Sequence, residues 1–201
     1  VEKEGIGEVN KTVLGTIIGT ALLGLAKAKM GGRNEYKPRK IEDIYNLSAQ
    51  EKAQITELHL SDRGLTHLPD DIFDGFTNLK ELYSSGNELT KIPDSIGNLT
   101  NLKILWLNRN ELTKLPDSIG NLTNLEILWL DQNELTKLPD SIGNLTNLEI
   151  LWLDENPWQK PVPKETILKM IINRVNKDII EKIIDMNNSI PTKSKSNLRI
   201  R

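Results

Sequence analysis

One column of residues in this 201-residue chain has the types and the spacing for recognition chemistry: His59, Tyr83, Trp106, Trp129 and Trp152. Successive members lie 24, 23, 23 and 23 residues apart. Two positions before each ring stand Glu57, Glu81, Ile104, Ile127 and Ile150. Two positions after come Ser61, Ser85, Asn108, Asp131 and Asp154, and one further on Asp62, Gly86, Arg109, Gln132 and Glu155. Large rings beside branched aliphatic side chains offer apolar area to a partner, and tryptophan is the residue most enriched where binding energy concentrates. The carboxylates Asp131, Asp154 and Glu155 would steer a basic partner edge toward that patch. Catalysis has far less to work with. There are two histidines, His59 and His67, no cysteine, and no metal-ligand spacing between them. His59, Ser61 and Asp62 are close in sequence, but positions 59 and 61 project from one open face with no pocket implied. Each Gly-Asn-Leu glycine belongs to a repeated turn, so no phosphate-binding loop is read. The sequence therefore implies no catalytic residue, cofactor, metal or small-molecule substrate.

The elements that place this column are internal repeats. LKILWLNRNELTKLPDSIGNLTN, beginning at Leu102, is followed at once by LEILWLDQNELTKLPDSIGNLTN, and the frame continues upstream through the units that begin at Leu79 and Ile55. A truncated unit, Leu148 to Trp158, closes the series. A period in this range signals a solenoid whose units cover one another's apolar faces. The alternation of Leu102, Leu105 and Leu107 predicts a short strand with those side chains inward and Ile104 and Trp106 outward. Leu112, Leu115, Ile119 and Leu122 carry the core around the return side, where Pro116 is expected to prevent any regular strand or helix. Asn87, Asn110, Asn133 and Asn156 sit where the strand must bend, and their amides can satisfy backbone groups there. Arg63 interrupts that column, and Ser84 stands at an inward position that is leucine in the other units, which predicts a soft spot. The twin units differ at only three positions, Lys103/Glu126, Asn108/Asp131 and Arg109/Gln132, all read as outward strand positions. Variation confined there is what selection for a reading face would leave.

LxxLxLxxNxL repeated in frame resembles the leucine-rich repeat over Ile55 to Trp158. The continuation LTxLPxxIGxLxxL is similar to the intracellular 23-residue class of Ras-pathway scaffold and suppressor proteins and their plant intracellular relatives. The resemblance implies an α/β solenoid, a short curved stack with a parallel β-sheet on the concave face and helical caps at both ends. It also implies a protein partner, with a small GTPase or a signalling complex as one possibility, and an intracellular location.

The flanks differ in material. Residues 41–163 hold 20 acidic and 9 basic side chains, whereas residues 1–40 hold 8 basic and 4 acidic and residues 164–201 hold 9 basic and 4 acidic. An acidic centre argues against nucleic acid as the ligand of the repeats. The stretch from Val13 to Ala26, with Val13, Ile17, Ile18, Leu22 and Leu25, is apolar and followed by basic residues. Three readings of it stay open: a membrane anchor with the repeats on the cytoplasmic side, a signal peptide, and a helix that packs on a partner. Gly31, Gly32 and Pro38 mark a linker. Ser48 and Glu51 form a capping box for a short helix, about Ala49 to Gln54, expected to cover the open edge of the first strand. From Lys164, residues Leu168, Ile172, Val175, Ile179, Ile183 and Met186 recur at helical spacing and predict a cap of one or two helices.

The expected organisation is thus a segment 1–40, a repeat domain 41–163 with its cap helix, a cap 164–186 and a mobile basic tail 187–201. The expected function is non-enzymatic binding of a protein or peptide on the concave face through Tyr83, Ile104, Trp106, Arg109, Ile127, Trp129, Asp131, Gln132, Ile150, Trp152, Asp154 and Glu155. In the competing expectation, residues 1–30 act on a membrane and the repeats are a rigid spacer.

Overall fold

The computed structural model describes residues 34–172 and 177–190. The apolar segment with Val13, Ile17, Ile18, Leu22 and Leu25 lies outside them, as does the stretch from residue 191 onward. Among the described residues no helix is long and apolar enough to cross a membrane.

Six strands form one parallel sheet in sequence order: β1 (Glu35–Tyr36), β2 (Glu57–His59), β3 (Glu81–Tyr83), β4 (Ile104–Trp106), β5 (Ile127–Trp129) and β6 (Ile150–Trp152). The register is in phase with the repeat, pairing Leu82 with Leu105, Leu105 with Leu128 and Leu128 with Leu151. Because side chains alternate along a strand, this register sends every leucine of that column into the core and every ring to the opposite, concave face. The result is the short curved α/β solenoid expected from the repeats.

The core is continuous along the stack. In the unit from Leu102, all seven apolar positions, Leu102, Leu105, Leu107, Leu112, Leu115, Ile119 and Leu122, are buried. Full burial of each is worth roughly 1.5–3 kcal/mol. The return side is more regular than Pro116 suggested. Pro93, Pro116 and Pro139 each precede a 3-10 helix, Asp94–Asn98, Asp117–Asn121 and Asp140–Asn144. A proline just before a helix gives up no hydrogen bond, since the amide it lacks would have had no partner there. These helices stack tightly. A Cβ on Gly120 would lie 2.6 Å from Ser141 Cβ and 2.7 Å from its carbonyl oxygen, so glycine is required by the close approach.

Two ladders of asparagine amides stitch units together. Asn110 Nδ2 donates to Ser84 O at 2.9 Å and Leu107 O at 3.0 Å, while its Oδ1 accepts from Leu89 N at 3.1 Å. Asn87, Asn133 and Asn156 repeat the pattern. The second ladder, unread in the sequence, uses the last residue of each unit: Asn78, Asn101, Asn124 and Asn147 donate to Ala53 O, Thr77 O, Thr100 O and Thr123 O. Where Arg63 replaces asparagine, its guanidinium donates instead to His59 O and Arg39 O. Ser84 is fully buried with no partner for its hydroxyl among the described residues, consistent with the soft spot expected there.

Both ends are capped. The helix Ala49–Gln54 has the expected capping box, with Glu51 N donating to Ser48 Oγ and Ser48 N to Glu51 Oε2. It does not cover the sheet edge. Strand β1 does, aligned by Thr56 N and Glu57 N donating to Asn34 O. That strand comes from the stretch read as linker, where two strand residues among basic ones leave no periodic signal. At the far end, helices Lys164–Ile172 and Lys177–Ser189 close the stack. The first packs on the last 3-10 helix through Thr166 and Met170, which approach Gly143 where the next unit's serine would lie. Its phase differs from the sequence reading: Met170 is buried and Leu168 is 57% exposed. The second buries Ile179, Ile183 and Met186 as expected and extends through Asn187, whose amide exchanges two hydrogen bonds with the Val162 backbone.

Candidate functional site

The concave column is a continuous ladder of rings. His59 stacks on Tyr83 (centroids 4.6 Å, planes 25° apart), Tyr83 meets Trp106 edge to face (4.7 Å, 82°), and Trp106 stacks on Trp129 (4.3 Å, 3°). Trp129 to Trp152 is looser, 6.3 Å and 66°. Burial follows the same gradient. Tyr83, Trp106 and Trp129 are half-buried by their neighbours, and the indole nitrogens of Trp106 and Trp129 are shut off from solvent without a hydrogen bond among the described residues. Trp152 and Ile150, at the open end, are 46% and 41% exposed, whereas Ile104 and Ile127 are half-buried. Aromatic pairs in these geometries contribute about 0.5–1.5 kcal/mol beyond area burial, so the central rings stabilise the sheet whatever else they do.

The border positions behave differently from strand residues. Asp62, Arg109, Gln132 and Glu155 all have φ between 53° and 55°, in the left-handed region, and Gly86 has φ 66° at the same place. They are corner residues and not part of the strand face proper. The backbone ladder still runs through the corner, with Arg109 N donating to Asp131 O and Gln132 N to Asp154 O. The positions that distinguish the twin units also acquire a structural meaning. Lys103 Nζ lies 2.6 Å from Glu126 Oε1, and Arg109 Nε donates to Gln132 Oε1 at 3.1 Å. The Glu126 carboxylate holds the Lys103 ammonium above its usual pKa. Two of the three differences therefore complement each other across the unit boundary, where identical charges would repel. The reading-face interpretation of that variation has a competitor. At the open end, Lys182 of the last helix places its ammonium 4.9 Å from the Trp152 ring and 3.6 Å from Asp154 Oδ2. Part of the predicted acidic border is thereby engaged within the chain.

The opposite end carries charge in place of apolar rings. Glu35, Glu57 and Glu81 stand in register on β1, β2 and β3. Glu57 is buried, and His59 Nε2 lies 3.0 Å from Glu35 Oε1 and 3.9 Å from Glu57 Oε2. Burial pushes the His59 pKa below its usual value, with Glu35 opposing and Lys37 assisting. Lys37 also pairs with Glu35, and the Tyr83 hydroxyl donates to Glu81. Ser61 is turned to a structural task, its hydroxyl accepting from Ser85 N at 3.1 Å. Sequence reasoning missed this cluster because Glu35 is 22 residues from its register partner Glu57 and outside the repeat frame. On the return side, a groove runs along the stack between columns of lysine, proline and aspartate, including Lys91, Lys114, Lys137, Asp94, Asp117 and Asp140.

Comparison with known proteins places these features. The LRR ectodomain of the Arabidopsis receptor kinase HAESA, in complex with an N-terminal extended IDA peptide hormone ligand, aligns with TM-score 0.52 and 34% identity over 62% of this chain and 22% of that chain. HAESA in complex with the peptide hormone IDA and the co-receptor SERK1 aligns with TM-score 0.53 and 31% identity over the same shares. A leucine-rich repeat protein of Leptospira interrogans aligns with TM-score 0.48 and 34% identity over 68% of this chain and 38% of that one. This chain thus spans well under half of each of these proteins. A comparison with curated proteins finds no match. The model of the leucine-rich repeat region matches residues 58–171, more than half of the chain, and with the in-register strands and the asparagine ladder it shows that the chain belongs to the leucine-rich repeat family.

Proposed function

We propose that the concave sheet is a docking surface for a protein or peptide segment, anchored at its carboxyl-terminal end. The observation that carries this is the exposure of Ile150 and Trp152 side by side on β6, continuous with Ile127 and Trp129. An exposed aromatic and a branched aliphatic residue on a rigid strand present contact area at little conformational cost on binding. Trp129 and Trp106 extend the apolar floor, and Ile104 and Tyr83 continue it. Arg109, Asp131, Gln132, Asp154 and Glu155 form the polar rim. Lys182 would have to yield Trp152 to an incoming residue, or share it. The peptide complexes of the similarly folded HAESA ectodomain lend support to a peptide or protein as the occupant. We further infer from the repeat type an intracellular protein of the Ras-scaffold kind, acting by binding and not by catalysis, with a signalling protein as partner.

The test uses the two exposed residues, because the half-buried rings are needed for stability. Peptides selected from a displayed random library on the immobilised chain should bind one to one in calorimetry. The double substitution Ile150→Glu with Trp152→Ser should weaken that binding at least about 30-fold, the effect of losing one anchor worth about 2 kcal/mol. Selected peptides that bind the folded double variant equally well would remove the concave face from consideration.

A further inference from the structure

We propose that Glu35, Glu57 and His59 form a binding site for a divalent metal ion of the zinc class at the amino-terminal end of the concave sheet. The proposal is independent of what docks at the other end. One ligand atom from each of the three residues can be chosen so that all lie within 4.8 Å of one another. Two ligands on a tetrahedral zinc ion, each at about 2.0–2.1 Å, stand roughly 3.3 Å apart. His59 Nε2 and Glu35 Oε1, at 3.0 Å, lie close to that separation, and Glu57 Oε2 stands 3.9 Å from the same nitrogen.

A second, independent observation concerns the imidazole. Among the described residues His59 Nε2 is closed off from solvent yet makes no hydrogen bond of good geometry, although it lies 3.0 Å from Glu35 Oε1 and 3.9 Å from Glu57 Oε2. Stacking on Tyr83 holds the ring in that orientation. A buried ring nitrogen facing acceptors without bonding them is poorly satisfied as it stands, and a cation in the gap would take its lone pair.

Charge points the same way. Strands in register are about 4.8 Å apart, so the column Glu35, Glu57 and Glu81 sets like charges side by side, an arrangement that sheets disfavour. The Tyr83 hydroxyl bonds Glu81 and draws it out of the set. Lys37 offsets part of the charge of Glu35, and it is 60% exposed, so it can swing away when a metal arrives. Two carboxylates would balance a divalent ion, and the imidazole selects a borderline ion such as Zn2+ over Ca2+ or Mg2+, which prefer oxygen throughout. Three protein ligands leave one position for water or for a group brought by a partner.

The experiment takes the full chain without an affinity tag, freed of metal with a chelator and titrated with Zn2+ by calorimetry and with Co2+ by visible absorption. One equivalent should bind, and Co2+ should develop the d–d bands of a low-coordinate site. His59→Ala and Glu57→Gln should each weaken binding by about two orders of magnitude, since even supporting groups around metal sites are worth 10–100-fold. His67→Ala, which removes the only other histidine, should change nothing. Circular dichroism checks each variant. If Glu57→Gln fails to fold, Glu35→Gln on the short edge strand replaces it. No binding by the intact chain, or binding that survives His59→Ala, overturns the site.

Discussion

The two ends of the concave sheet use one scaffold to opposite effect. At the amino-terminal end the column two residues before the ring is glutamate, a buried carboxylate faces a histidine, and a short strand closes the edge. At the carboxyl-terminal end the same column is isoleucine, the ring is tryptophan, both are about half exposed, and helices close the core while leaving those faces open. The leucines beneath are equivalent throughout. The backbone solution of the repeat is thus indifferent to what the outward positions carry, and function can change along the sheet without altering the fold.

The largest effect should come from the asparagine ladder, and it tests how far the ends differ from the middle. Asn110→Ala takes the acceptor from the buried Leu89 N and one of two amide donors from each of Ser84 O and Leu107 O, which keep Asn87 and Asn133. At about 1–3 kcal/mol for the one amide left unsatisfied and about 0.5–1.5 kcal/mol for the bonds lost at the two carbonyls, urea unfolding should show a loss of about 2–4 kcal/mol. Asn156 makes the matching bonds near the end of the stack, where it is only partly buried. Water can replace its amide there, so Asn156→Ala should cost about half as much. Equal losses would mean that the ends are as tightly sealed as the centre.

The rings should show the same gradient at smaller scale. Trp129 is stacked on Trp106 and flanked by Trp152, whereas Trp152 has, among the described residues, one ring neighbour and a lysine. Trp129→Ala should destabilise by about 2 kcal/mol, below the 3–5 kcal/mol of a fully buried aromatic, and Trp152→Ala by less than about 1 kcal/mol. A ring that costs little to remove from the fold yet much to remove from binding is the signature expected of Trp152. Comparable stability losses for both would indicate that the ladder is chiefly structural.

The repeated part of this molecule is legible in its sequence because each unit states the same pattern. The strand register, the buried leucines, the asparagine corner and the alignment of rings all follow from periodicity, and each is in the structure. What escaped is aperiodic. Strand β1 has two residues and pairs with a strand 22 residues away, so Glu35 could not be joined to Glu57 and His59 from local pattern. The left-handed corner at Arg109, Gln132 and Glu155 was also hidden, because only the Leu79 unit shows glycine there. Leu168 and Met170 illustrate a third failure. Both fit a helix, but which faces inward is decided by the 3-10 helix beneath, at Gly143, and not by the helix's own spacing.

The smallest effect bears on why the twin units differ at all. Lys103 and Glu126 occupy the same position in adjacent units and form an exposed ion pair. Such pairs contribute little to stability and are screened by salt. Lys103→Glu makes the two units identical at this position and sets two carboxylates side by side. Stability should fall slightly at low ionic strength, and the deficit should shrink as salt is added. Restoring opposite charges in reverse, with Glu126→Lys added, should recover most of the loss. That recovery would show that this position diverged to match its neighbour, leaving the exposed carboxyl-terminal end, and not sequence variation between the twins, as the guide to where a partner sits. Were the double exchange neutral for stability but damaging to binding of the selected peptides, Lys103 and Glu126 would belong to the docking surface, and the contact zone would reach from β6 back across β4.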